Sequence, residues 1–182
     1  GYKEQLQALV DETRERLGPI DTLIANAGVN PFYGPMSEIP DEAFDKTMNS
    51  NLRSNHWLCQ MVAPDMLEKG RGAIMITASV GAFGPSDTLG TYNISKMADI
   101  ALVRNLAMEW GQKGIRVNAL CPGLIRTDFA KALWDNPEAA QRVPVGADPD
   151  VAIQEGLPPE EREAGRHQAH RPEVRARPAQ PG

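Results

Sequence analysis

The chain has 182 residues, a net charge of −5 and an isoelectric point near 5.2. That length holds one domain with a real core, and the acidic balance argues against a general nucleic-acid or anionic-membrane binder, which shows a basic patch. Two cysteines, Cys59 and Cys121, without CxxC or Cys/His spacing, argue against structural zinc and against a disulfide framework.

"YKEQLQALVDETRERLG" opens the chain with apolar Leu6, Leu9, Val10 and Leu17 on a polar background. This is an amphipathic helix, stopped by Gly18-Pro19. "DTLIA" follows as a short apolar strand ending in "NAG". A Pro/Gly-rich loop fills 30–40, and a long helical stretch runs over about 41–69 to Gly70. "AIMITAS", 73–79, is the next strand; a Gly-rich loop leads to a helix over about 89–110; "IRVNAL", 115–120, is the third strand, followed by "CPG". Strands alternating with helices predict an α/β fold with a parallel sheet under helices. No apolar run approaches the roughly 20 residues that cross a bilayer. The chain starts at Gly1 rather than Met, which leaves an upstream targeting signal open; the expected location is cytoplasmic.

The C-terminal segment differs in kind. No aromatic residue follows Trp134, and no lysine follows Lys131, although six arginines do. Eight of the 15 prolines lie at or after Pro137. The chain therefore divides into a domain over 1–142 and a segment over 143–182 too poor in apolar periodicity to build a core. That segment reads as disordered or as an out-of-frame translation of a GC-rich gene.

Tyr92 and Lys96 stand four residues apart, one helical turn, and so share a face. Alone the pair is weak. It lies among other ordered motifs: "DTLIANAG", "MNSNLRSNHWLCQ", "AIMITASVGAFG" and "IRVNALCPGLIRTDF", with Ser79 thirteen residues before Tyr92. With these motifs, residues 1–142 resemble the short-chain dehydrogenase/reductase family. The resemblance implies a Rossmann-like, doubly wound parallel sheet and a catalytic set of Asn51, Ser79, Tyr92 and Lys96. It also implies NAD or NADP as cofactor, held by Asn26, Ala27, Gly28, Tyr92, Lys96, Pro122, Gly123, Ile125 and Thr127.

The chemistry suits those residue types. A phenol ordinarily ionises near pH 10 and must drop by roughly 3 units, about 4 kcal/mol, to act as a base near neutrality. A lysine ammonium one turn away supplies positive charge, which makes Tyr92 the general acid/base and Lys96 its electrostatic tuner. Ser79 ends an apolar strand, where a hydroxyl can bond the substrate oxygen. Asn51 interrupts a long helix, where its side chain competes for backbone groups; in the family an asparagine there holds a water that links the lysine to solvent. Asn26 is expected to brace the sheet. His56 reads as a surface or interface residue and Cys59 and Cys121 as buried, and "DFAKALW" with Trp134 resembles the family's substrate lid.

Departures from the family pattern matter too. No strand and glycine-rich turn of the kind that seats a dinucleotide pyrophosphate precedes the first helix, and a last strand is not recognisable. The sheet is therefore expected to be incomplete. The expected function is an NAD(P)-dependent oxidoreductase interconverting an alcohol and a carbonyl; the alternative is an inactive truncated product that cannot bind cofactor. The expected partners are a small-molecule alcohol or carbonyl substrate and, at full length, a second copy of the chain packed through the helices at 41–69 and 89–110; neither nucleic acid nor membrane is expected. "NALCPGLIRTDFAKALW" looks most like the carbonyl-reductase branch, with 3-oxoacyl-carrier-protein reductases and sugar-alcohol dehydrogenases open.

Overall fold

A computed structural model describes residues 2–125. Thr127, the lid with Trp134, and the segment 143–182 lie outside the described residues. The elements follow in the order α1 (Lys3–Leu17), β1 (Thr22–Ala25), α2 (Asp41–Met48), a π-helical turn (Asn49–Arg53), α3 (Ser54–Lys69), β2 (Gly72–Thr77), α4 (Gly90–Trp110) and β3 (Ile115–Leu120). The three strands form a parallel sheet in the order β1-β2-β3, with Leu23, Ile74 and Val117 in one row and Ala25, Ile76 and Ala119 in the next.

Burial alternates along the strands with the period-2 pleat. Ala25, Ile74, Ile76, Ile115, Val117 and Ala119 are buried with Cys59, Val62 and Met66 of α3 and with Ile100, Val103 and Leu106 of α4 in one core cluster. The alternate row of Ile24, Met75 and Asn118 is not buried, and Ile24 is 59% exposed. Among the described residues, the core therefore lies on one face of the sheet.

Sequence boundaries and structure agree closely, with one exception. The stretch read as a single long helix is two α-helices joined by a wide turn, in which the Ser54 N–H reaches back to the Asn49 carbonyl. At the end of α3, Gly70 is left-handed at φ 64°; its N–H bonds the Leu67 carbonyl, and the Arg71 N–H bonds the Met66 carbonyl. This pair of bonds satisfies the terminal carbonyls and turns the chain into β2. Gly114 packs on that turn at φ 83°, and a Cβ there would lie 2.0 Å from the Gly70 carbonyl oxygen.

Arg14 ties α1 to α3. Its Nε donates to both Asp65 oxygens at 3.1 and 2.9 Å, and a terminal nitrogen donates to the Met61 carbonyl at 2.6 Å. Asp65 also accepts the Ile20 N–H at 2.9 Å, which fixes the approach to β1. The Arg14 bond holds the Asp65 carboxyl below its ordinary value of 3.8. A depressed carboxylate contributes stability above its unfolded value and loses it as pH falls through the folded one. Asp65→Ala is expected to cost about 1–3 kcal/mol in urea unfolding at neutral pH, with the gap to wild type closing below about pH 4. A gap that persists undiminished in acid would exclude the ionic origin.

Candidate active site

The site collects where the carboxyl ends of β1 and β2 meet α4. β2 and β3 remain paired beyond their ends: the Ala78 N–H donates to the Leu120 carbonyl at 2.7 Å and the Val80 N–H to the Pro122 carbonyl at 3.0 Å. These bonds bring Ser79 and the Pro122-Gly123 loop side by side. Ser79 caps a short 3₁₀ turn, its Oγ accepting the Gly81 N–H at 3.1 Å. A side chain on Gly81 would meet the Asn93 Oδ1 at 2.6 Å, so any larger residue there must displace the Asn93 amide. Ser79 Oγ keeps its own proton and a second lone pair for other partners.

Tyr92 and Ser79 share a hydrogen bond. Tyr92 is half-buried in the first turns of α4. Lys96 follows one turn later, 3% exposed, with its Nζ 5.8 Å from the Tyr92 ring centroid. The ammonium donates to the Thr77 carbonyl at 2.7 Å and lies 3.4 Å from Asp99 Oδ2. An ammonium has three N–H groups, so one remains beyond these two acceptors.

Asn51 sits fully buried in the middle of the wide turn. Its Oδ1 accepts the Val29 N–H at 2.8 Å; its amide donates to the Val29 carbonyl at 2.9 Å and to Ser95 Oγ at 3.0 Å. The side chain thus pins the loop after β1 to α4, and the helix does widen at the asparagine the sequence singled out. The Asn51 carbonyl accepts from the Asn55 amide.

Asn26 accepts from Thr77 Oγ1 at 3.0 Å and so bridges the ends of β1 and β2, the bracing expected of it. Ala27 is exposed and Gly28 half-buried. A Cβ on Gly28 would lie 3.5 Å from Lys96 Nζ and 3.6 Å from Asn51 Oδ1, so the "NAG" loop borders the catalytic candidates directly. Pro122 is half-buried; Gly123 and Ile125 are exposed, and no described residue lies within 4 Å of where a Gly123 Cβ would point. His56 is exposed and Cys59 buried, but Cys121 is only half-buried because it follows the end of β3. Burial pushes the Cys59 thiol up to about 12, which leaves it neutral and inert.

Two residues escape a reading of the sequence. Asp99, fully buried one turn after Lys96, accepts from the Asn55 amide at 3.0 Å. Asn55 is itself buried and bonds Asp99 and Asn51 together. The available signal is an acid and an amide at positions where helical spacing calls for apolar residues. Their presence corrects the electrostatic expectation for Tyr92. Burial pushes the phenol above its ordinary value; the Ser79 hydrogen bond opposes the shift, and the Asp99 charge adds to it.

The family model described as short chain dehydrogenase matches residues 2–138. The chain belongs to the short-chain dehydrogenase/reductase family. Among curated members of this family, the chain is 39% identical over 143 residues to dehydrogenase/reductase SDR family member 4 of Bos taurus, an alignment covering 79% of this chain and 51% of that protein. It spans about half the length of the curated relatives it matches. Two solved structures share the fold. One is a gluconate 5-dehydrogenase from Burkholderia cenocepacia J2315 in complex with NADP and tartrate, at TM-score 0.73 and 29% identity, covering 77% of this chain and 55% of that one. The other is a 7α-hydroxysteroid dehydrogenase complexed with NADH and 7-oxo glycochenodeoxycholic acid, at TM-score 0.71 and 36% identity, covering 77% and 54%. The short-chain dehydrogenase/reductase assignment agrees with the parallel, Rossmann-type sheet. No helix among the described residues is long and apolar enough to cross a membrane.

Proposed function

We propose that the protein is an NAD(P)-dependent oxidoreductase that interconverts an alcohol and a carbonyl, with Tyr92 as general acid/base. The observation that carries this reading is the hydrogen-bonded Ser79–Tyr92 pair beside a buried Lys96, at the carboxyl end of a parallel sheet where ligands of such folds bind. The residues present fit the nicotinamide end of a dinucleotide. Among the described residues, Lys96 keeps an N–H beyond its two protein acceptors, the Pro122 carbonyl is tied to the residue after Ser79, and Gly123 and Ile125 are exposed. Lys96, Tyr92, Pro122, Gly123 and Ile125 would hold that end, together with Thr127 from the sequence, and Asn26-Ala27-Gly28 would line the adenosine side. When bound, NAD or NADP supplies the hydride donor or acceptor.

The chain's own residues handle the proton and the substrate oxygen. Ser79 presents its hydroxyl to the oxygen, and Tyr92 donates the proton that the forming alkoxide requires, or takes it back in the oxidising direction. Asn51 holds the Val29 loop and α4 in register around Lys96. The substrate is a small alcohol or carbonyl compound; the carbonyl-reductase branch is favoured by "NALCPGLIRTDFAKALW". Exposed Ile94, Met97 and Met108 on α4 support self-association through the long helices.

One observation favours the inactive reading: the described sheet has three strands, with Ile24 of β1 uncovered. Both readings meet in one experiment. The full-length protein is expected to oxidise NADH or NADPH with a panel of carbonyl compounds, and Ser79→Ala to lower kcat/KM by about 10²–10³-fold, the cost of one lost oxyanion donor. The inactive reading concerns the 182-residue chain itself: that chain is then expected to show no turnover and no rise in melting temperature with either cofactor, and a rise would overturn it.

A further inference from the structure

The four residues expected from the family do not complete the buried polar cluster. Asp99, 0% exposed, joins α4 to α3 through Asn55 and meets Lys96 within its own helix. The resulting chain of contacts runs from the Thr77 carbonyl through Lys96, Asp99 and Asn55 to the Asn51 carbonyl. A buried carboxylate is costly, and replacing a buried ion pair with apolar residues is often neutral or stabilising. Stability alone therefore does not account for an acid at this position.

We propose that Asp99 is a positioning residue: it clamps the Lys96 ammonium and offsets its charge before that charge reaches Tyr92, keeping the phenol in its proton-donating form. The inference rests on the proton-donor role given to Tyr92 above. Its consequence is an alcohol-oxidation pH profile whose basic limb lies higher than it would without the Asp99 carboxylate. Among the described residues, Lys96 of α4 contacts Asp99 directly, and the Asp99 charge also acts on Tyr92 of the same helix and on Cys59 of α3, which burial holds neutral. The wide turn and β2 present an asparagine and a backbone carbonyl, neither of which titrates. In support, burial raises the Asp99 carboxyl to about 6 against the pull of Asn55 and Lys96, so it is charged at neutral pH. Its charge is also one of the causes that raise the Tyr92 phenol.

The test reads Tyr92 ionisation directly, without cofactor. Ultraviolet difference titration of the full-length protein, with Tyr92→Phe subtracting the other tyrosines, gives the Tyr92 midpoint. Asp99→Asn is expected to lower that midpoint by about one unit, a tenfold change in the ionisation constant, and to shift the basic limb of the alcohol-oxidation pH profile in parallel. Asp99→Leu repeats the measurement if the amide variant does not fold. An unmoved midpoint in a folded variant overturns the proposal. If neither variant folds, the wild type decides: the Tyr92 ring resonance carries a second inflection near pH 6 as Asp99 loses its proton, and its absence overturns the proposal. Turnover retained in Tyr92→Phe would remove the proton-donor role instead, whereas a dead Tyr92→Phe with an unmoved midpoint removes Asp99 alone.

Discussion

Tyr92→Phe is expected to lower kcat by about 10²–10⁴-fold, the span of a lost general acid/base, while cofactor affinity stays close to wild type. The ring keeps its packing in a half-buried position, and Lys96 keeps its place through the Thr77 carbonyl and Asp99. What disappears is the hydroxyl that shares a hydrogen bond with Ser79. Steady-state kinetics paired with a cofactor titration separate the two effects. A variant that turns over at the wild-type rate removes Tyr92 from proton transfer; one that loses cofactor affinity and rate together points to a structural role.

Lys96→Met is expected to act on stability as well as on turnover. Removing the ammonium strands Asp99 in the core, and breaking one side of a buried pair costs about 3–5 kcal/mol. The pH dependence has a definite sign. Asp99 titrates at about 6 in the folded chain against an ordinary carboxyl value of 3.8. A raised carboxyl binds protons in the folded state that the unfolded state has released, so stability falls as pH rises from about 4 to about 6. Lys96 lowers the Asp99 carboxyl by its charge and its hydrogen bond. Without it the folded value climbs further, and the loss of stability extends above pH 6. Urea midpoints measured across pH check this, and Lys96→Met combined with Asp99→Asn is expected to flatten the slope. A double variant as pH-sensitive as the single one would show that the charge on Asp99 is not the cause.

The architecture is legible in the sequence because its signals are local. Gly18-Pro19, Gly70 and Gly114 punctuate the chain, and "TLIA", "AIMIT" and "IRVNAL" leave few alternatives to buried strands. Asn51, Ser79, Tyr92 and Lys96 stand out through spacing and resemblance, and the structure brings Ser79, Tyr92 and Lys96 together around the end of β2, with Asn51 behind them. Asp99 and Asn55 do not stand out, since each lies on a different helix and their meaning arises only when α3 packs on α4. The direction of the Tyr92 shift is hidden for the same reason: helical spacing shows the lysine one turn away, but not the burial that raises the phenol or the Asp99 carboxylate that adds to it.

The wide turn at Asn49–Arg53 has a rotational meaning. Buried Thr47, Asn51, Asn55 and Cys59 recur every four residues. On a regular α-helix each such step overshoots a full turn by roughly 40°. A wider turn takes up part of that overshoot, so the four side chains stay closer to a single line. The segment acts as a phase adjuster between α2 and α3. Deleting one residue from α3 beyond Asn55 would swing the Cys59 and Met66 face away from the sheet by roughly 100°. A deletion inside the wide turn could instead be absorbed by closing it to ordinary α geometry. The wide turn is therefore the place between α2 and α3 most able to take up a change in length.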